Sequence, residues 1–256
     1  MFSFFHRTPE IHLDCFTDEV EVYHNTPIIY TSRSTPDWWR KLPSGFKPDY
    51  GPSDDGKIAY KNRNRNAQTA KDCYAIIEFY KKGISLPCWC DFAIKVDYDD
   101  MNYCWSCGPA PKDHAREQLG AGFPFHNHLK LNSPWHFYEK TGIKFMWVGD
   151  DWSLHNHLFK VLPAITSFKM NSSTNVNIMI PKLSYEFEIT IGTPLVHMVP
   201  ITEKKLTFKN HLLSKQEFVK VVRNGANQSF YGWRKILKIQ EKMSEQEKKC
   251  PFGFGK

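Results

Sequence analysis

The chain is 256 residues long, 41% hydrophobic and 15% aromatic, which excludes a disordered chain and allows a substantial core. Lys and Arg total 34 against 27 Asp and Glu, and the net charge of +7 permits an acidic partner such as nucleic acid without demanding one. No segment stays apolar for about 18 residues, so neither a membrane span nor a membrane partner is expected.

The opening "MFSFFHRTPEIH" lacks the apolar stretch of about 7–15 residues that a signal peptide carries. The N-terminal third reads as irregular. "VEVYHNTPIIYTSR" reads as two short strands broken at Asn25, Thr26 and Pro27. A loop-rich stretch follows. Within its "PDWWRKLP", Trp38 and Trp39 cannot share a face, since adjacent side chains diverge in any regular conformation. They either latch the loop to the body or offer aromatic contact to a partner. "KNRNRN" (residues 61–66) is the nearest thing to a basic patch, and it reads first as a solvated loop because no aromatics for base stacking accompany it.

"TAKDCYAIIEFYKKG" predicts a helix, capped by Thr69, striped by Tyr74, Ile77, Phe79 and Tyr80, and stopped at Gly83. Cys73 is expected in its core face. Strands then dominate. "ISLPCWCDFAIKVDY" and "MNYCWSC" flank an acidic turn, followed by "HLKLNSP", "IKFMWVG", "NVNIMIPK", "YEFEITIG", "PLVHMVPI" and "LTFKNHL". "SKQEFVKVVRNG" and "QSFYGWRKILKIQEKMSEQEKK" return to helical periodicity before the tail "CPFGFGK". The expected class is α+β and β-dominated, a sandwich or jelly roll with one internal helix and C-terminal helices. Residues 1–210 form a single β-rich domain and residues 211–256 a helical extension and tail. Trp233, Phe252 and Phe254 are candidate contacts for a partner there.

Four of the seven cysteines, Cys88, Cys90, Cys104 and Cys107, fall in one stretch as Cys-x-Cys and Cys-x-x-Cys. On a strand Cys88 and Cys90 share a face. If the acidic segment is a hairpin turn, Cys107 returns beside Cys90. Tetrahedral zinc would need all four thiolates to converge, and a kink at Pro87 could help. A redox Cys-x-x-Cys would rather open a helix, and "CWSCGP" does not. Buried thiols acting as small apolar side chains are the leading reading. Zinc is the one cofactor these residues could hold, and no cofactor is the leading expectation.

"HNHL" occurs twice, bringing His126 and His128, then His155 and His157. On strands each pair would share a face, as in cupin-type metal sites, with His197 as a distant third ligand. The carboxylate that such sites use is missing from both motifs, and turn or surface histidines are the plainer reading. No Gly-x-Ser-x-Gly, Walker, Gly-x-Gly-x-x-Gly or His-Glu-x-x-His motif is present. Asp97, Asp99 and Asp100 read as a solvated hairpin turn.

"SRSTPDWWRKLP", "AKDCYAIIEFYKKGISLPCWCDFAIKV", "HAREQ", "LKLNSPWHFYEKTGIKFMW" and "ITIGTPLVHMVPI" together resemble an uncharacterised domain family of tailed marine phages and some bacteria. The resemblance spans roughly residues 30–205 and implies no assigned activity. Residues 185–201 also look like the strand-turn-strand close of dUTPase-type β-clip folds. The Asp-bearing hairpin and the phosphate loop of that chemistry are absent, so the resemblance implies the fold alone. The large supply of aromatic residues without an assembled catalytic set points to a non-enzymatic structural or protein-interaction module, and the resemblance to a phage-associated family makes a virion or assembly component the expected setting. Its partners would be other phage proteins or itself, and its location the host cytoplasm or the virion. A metal-dependent enzyme of cupin or iron-oxygenase type, and a nucleic-acid-binding protein, are the alternatives.

Overall fold

Alternation of apolar and polar residues builds the first element. In "EIHLDCFT", Ile11, Leu13 and Cys15 are buried along β1 (Glu10–Thr17). That strand lies within the stretch expected to be irregular, and its partners are far away in sequence. The structure, a computed structural model, describes residues 9–46, 67–113, 123–154, 156–169 and 171–222. "KNRNRN", His155, Trp233, Phe252, Phe254 and the second C-terminal helical pattern lie outside the described residues.

α1 (Val20–Asn25) and β2 (Ile29–Tyr30) come next. "VEVYHN" is thus a helix where a strand was expected. Only Val22 of this helix enters the core, and Thr26 closes it by donating its hydroxyl to the Val22 carbonyl at 3.2 Å. Tertiary burial here overrides the strand preference of the two valines. α2 (Asp37–Lys41) precedes a two-stranded ribbon of β3 (Gly45–Phe46) and β4 (Ala67–Gln68).

The expected internal helix is shorter than its pattern. Thr69 caps a 3-10 turn, Ala70–Asp72, by accepting from Lys71 N at 3.2 Å. α3 (Tyr74–Lys81) begins only after it. Cys73 is therefore exposed at the helix start, not in the core, and Tyr74 is 75% exposed. The inward side of α3 carries Tyr80, which is buried.

The strands follow: β5 (Ile84–Pro87), β6 (Phe92–Asp97), β7 (Asp100–Trp105), β8 (Lys112–Asp113), β9 (His126–Leu131) and β10 (His136–Tyr138). Then come β11 (Lys144–Gly149), β12 (Lys160–Val161), β13 (Ala164–Ser167), β14 (Val176–Pro181), β15 (Tyr185–Ile189), β16 (Pro194–Pro200) and β17 (Lys205–Leu212). They form sheets ordered β10-β1-β17, β13-β11-β16-β5-β2, β12-β14-β9-β8 and β15-β6-β7. β1 and β17 run parallel, and every other pairing is antiparallel. The fold is α+β, β-dominated and sandwich-like. Leu13, Ile94, Phe145 and Ile178, from four different sheets, belong to one core cluster. Phe168 holds the ends together, with Phe137 and Phe145 packed on it at ring separations of 5.0 and 5.1 Å. The two strands inside "YEFEITIGTPLVHMVPI" part company, since β15 pairs with β6 while β16 lies between β11 and β5.

β17 runs to Leu212, past the boundary expected at 210. α4 (Lys215–Val222) then starts with a capping box. Ser214 N donates to Glu217 Oε2 at 3.0 Å, and Glu217 N donates to Ser214 Oγ at 3.4 Å. Phe218 docks the helix on the sheet, 6.2 Å from the Phe16 ring and 5.1 Å from His136.

A buried carboxylate fixes the turn between β10 and β11. Glu139 is 0% exposed and accepts from Thr141 N at 2.8 Å, Thr141 Oγ1 at 2.5 Å, Gly142 N at 2.7 Å and Ile143 N at 3.1 Å. Removing it leaves those amides without an acceptor inside the protein. Glu139→Ala should lower stability by about 3 kcal/mol, and Glu139→Gln by less because one oxygen remains. Urea denaturation of the two variants checks this order.

Candidate functional site

A concave surface lies on the outer face of the β15-β6-β7 sheet. Alternation in "FAIKVD" and "YEFEI" sends Phe92, Ile94, Val96 and Ile189 into the core and Ala93, Lys95, Glu186 and Glu188 outward. Strand register then aligns two rows. Glu188, Ala93 and Cys104 form one, and Glu186, Lys95 and Asn102 the next. Ala93 has no side chain beyond Cβ, so the surface dips between Glu188 and Cys104. These six residues line a cavity of about 450 Å³.

The face is negatively charged. Lys95 is engaged by Glu186 at 2.8 Å, and this pair raises the lysine pKa through its hydrogen bond and then its charge. Glu188 and Asp100 form no ion pair among the described residues. Asp97 and Asp100 extend the charge toward the hairpin tip, where they pair across a two-residue turn. That acidic hairpin turn agrees with the sequence expectation. Tyr98 holds φ at 53° there, a left-handed conformation costing about 1 kcal/mol or more for a non-glycine residue. Asn127 Nδ2 donates to Tyr98 O at 2.9 Å, and Lys182 pairs with Asp99, so the tip is tethered to its neighbours.

The four central cysteines do not meet. Cys88 and Cys90 sit in the irregular link between β5 and β6, and both are 0% exposed. Cys88 donates to Cys90 O at 3.0 Å. Cys107 stands beside Cys90 and donates to Trp89 O at 3.4 Å. Burial pushes the Cys88 thiol well up, and burial followed by the neighbouring Cys90 pushes Cys107 up to about 11. Both are neutral packing thiols at neutral pH. Cys104 lies across from Ala93 on the opposite, solvent-facing side of the sheet. The hairpin brings Cys107 to Cys90, but strand alternation turns Cys104 away, so the four thiolates do not converge as a tetrahedral site would need. Cys104-x-x-Cys107 closes a strand and opens no helix.

The histidines scatter as well. His126 and His128 share one face of β9, as a strand requires. His157 lies in a turn, its N–H bonded to Leu154 O at 2.9 Å and its ring 5.0 Å from Phe159. Asn156 and His157, the described part of the second His-Asn-His, thus lie outside any strand. His197 lies on another sheet, buried under α3, with Nε2 2.5 Å from Lys82 O and its ring 4.0 Å from Phe79. Burial lowers its pKa to about 4, against the opposing effect of the Lys82 carbonyl. Among the described residues, no group of three or more His, Cys, Asp or Glu could hold a metal ion. His126, His128, His157 and His197 are therefore not assembled into the ligand set that the metalloenzyme reading requires.

The two tryptophans of α2 act as an internal latch. Trp38 donates to Trp152 O at 3.0 Å and its ring lies 5.5 Å from that of Trp152. Trp39 donates to Ala70 O at 3.1 Å and packs 5.9 Å from Tyr80. Behind them is a polar cluster that sequence reading missed. Asp150 is 0% exposed, accepts from Tyr80 at 3.1 Å, and has its carboxyl pKa raised mainly by burial. Its aspartate follows a strand-ending glycine in "VGDDWS", a signal of a turn rather than of a buried acid. The Asp150 main chain also accepts from Ser153 N and Leu154 N, both at 2.9 Å, so the carboxylate belongs to a turn that carries Trp152.

No protein-family model matches the chain, and no curated protein matches it.

Proposed function

We propose that the protein is a non-enzymatic interaction module that accepts an extended, basic segment of a partner protein on the outer face of β15-β6-β7. The observation that carries this reading is the depression over Ala93, walled by Glu188 and Cys104 and bordered by carboxylates in excess of cations. An extended chain presents alternate side chains at the spacing of a strand. A Lys or Arg would lay its aliphatic stem over Ala93 and bring its charge to Glu188. Cys88, Cys90, Cys107, His197 and the paired tryptophans are engaged within the chain itself, whereas this face, with the exposed Cys104, keeps chemistry to spare. The resemblance to a phage-associated family would make such a module a virion or assembly component.

Ala93→Arg fills the depression and reverses its charge while projecting outward from the sheet. Random peptides displayed and selected on the wild-type protein should be rich in Lys and Arg. They should bind the variant at least about tenfold more weakly, a loss of about 1.4 kcal/mol, at unchanged Tm. Selected peptides that bind Ala93→Arg equally well would refute the site.

A further inference from the structure

The β12-β14-β9-β8 sheet has an outer face of the opposite character. Leu129, Leu131, Ile178 and Ile180 point into the core. Alternation therefore puts His126, His128 and Lys130 on the other side of β9. Register sets Lys112 of β8 and Asn177 of β14 on either side of Lys130. Met179 pairs with His128 one row further on and is 5% exposed, so it forms the apolar floor beside this row.

Two lysines directly opposite each other repel, because cross-strand Cβ atoms stand only about 4.5–5.5 Å apart. Neither Lys112 nor Lys130 forms an ion pair among the described residues. Lys130 is also half-buried, and its pKa is lowered first by that burial and then by Lys112. The other lysine of this face, Lys160, is already opposite Asp151 at 3.7 Å. Among the described residues of this face, the unrelieved charge is thus that of two lysines in one row, with a carboxamide beside them.

We infer that the Lys112–Lys130–Asn177 row is a binding site for a single phosphate group, free or as the monoester of a small molecule. Two adjacent cations suit a dianion better than a carboxylate, and the Asn177 amide supplies a neutral donor on the same side. The row is too short to track a nucleic-acid backbone, which needs a succession of cations. His126 and His128, shared on this face by the first His-Asn-His, would then border an anion rather than ligate a metal.

The test is thermal unfolding of the full chain in inorganic phosphate against chloride at matched ionic strength, repeated with Lys112→Met and Lys130→Met. Wild-type Tm should rise saturably with phosphate. Each variant should weaken that response by about tenfold or more. In chloride at low ionic strength each variant should be at least as stable as wild type, because like-charge repulsion is gone; this separates loss of the site from loss of the fold. No saturable phosphate response, or one that persists in both variants, overturns the inference. Stabilisation by a single-stranded oligonucleotide but not by phosphate or a phosphomonoester overturns it in favour of a polyanion surface.

Discussion

Gly83→Ala should destabilise the protein by about 4 kcal/mol or more, near the upper limit for a single substitution. Gly83 joins α3 to β5 with φ at +91°, a region that L side chains rarely adopt. A Cβ at this position would stand 2.2 Å from Met198 O and 3.0 Å from His197 Nε2. The first of these is backbone in the middle of β16, whose neighbours on both sides are strands, so it cannot swing away. The whole turn would have to lift from the sheet. That would break the Gly83 carbonyl's bond from Thr31 N at 3.3 Å and expose His197. Guanidinium denaturation would show the midpoint displaced accordingly. A variant within about 1 kcal/mol of wild type would mean that α3 does not press on β16 as described.

Acidification should cost nearly as much. His136 and His197 are both held neutral by burial, with pKa values lowered from 6.5 to about 4. In the unfolded chain both titrate near 6.5, so between that pH and about 4 the unfolded state binds protons that the folded state refuses. Their stabilisation is complete above pH 6.5 and is lost as pH falls toward 4, by about 3 kcal/mol per histidine at most. Asp150 works in the opposite direction over part of this window, because its raised pKa lets the folded state bind a proton first. Unfolding free energy measured from pH 7 to 4 should fall by several kcal/mol, and His136→Gln should remove about half of the slope. A flat profile would mean that these rings are solvated. His136 is the more informative of the two. It lies between Phe16 and the Phe218 ring of α4, so its protonation should also loosen the C-terminal helix.

The sequence discloses those elements whose pattern is local. The β6–β7 hairpin is legible because apolar alternation brackets an acidic turn, and α4 because Ser214 and Glu217 stand at capping-box spacing before a helical pattern. β1 escapes despite its alternation because its parallel partner β17 lies nearly two hundred positions away. α1 escapes because the strand preference of Val20 and Val22 is a local property, whereas the choice of helix depends on which residue the core admits. The cysteines teach the same point at finer scale. Spacing foretells that Cys90 and Cys107 become neighbours, yet it cannot say that Cys88 and Cys90 occupy a sealed bend while Cys104 looks outward. The candidate face is hidden for a related reason. Glu186 and Glu188 read as polar positions of a strand, and only pairing with β6 sets them beside Ala93.

The most direct measurement is an amide-resolved NMR titration of the full chain with an extended Lys- and Arg-rich peptide, beside its Glu-substituted counterpart. Binding at the proposed site would shift the amides of Ala93, Lys95, Asn102, Cys104, Glu186 and Glu188 with the basic peptide alone, and added salt would weaken it. Shifts centred on another surface, or equal shifts with both peptides, would contradict the assignment of function to this face.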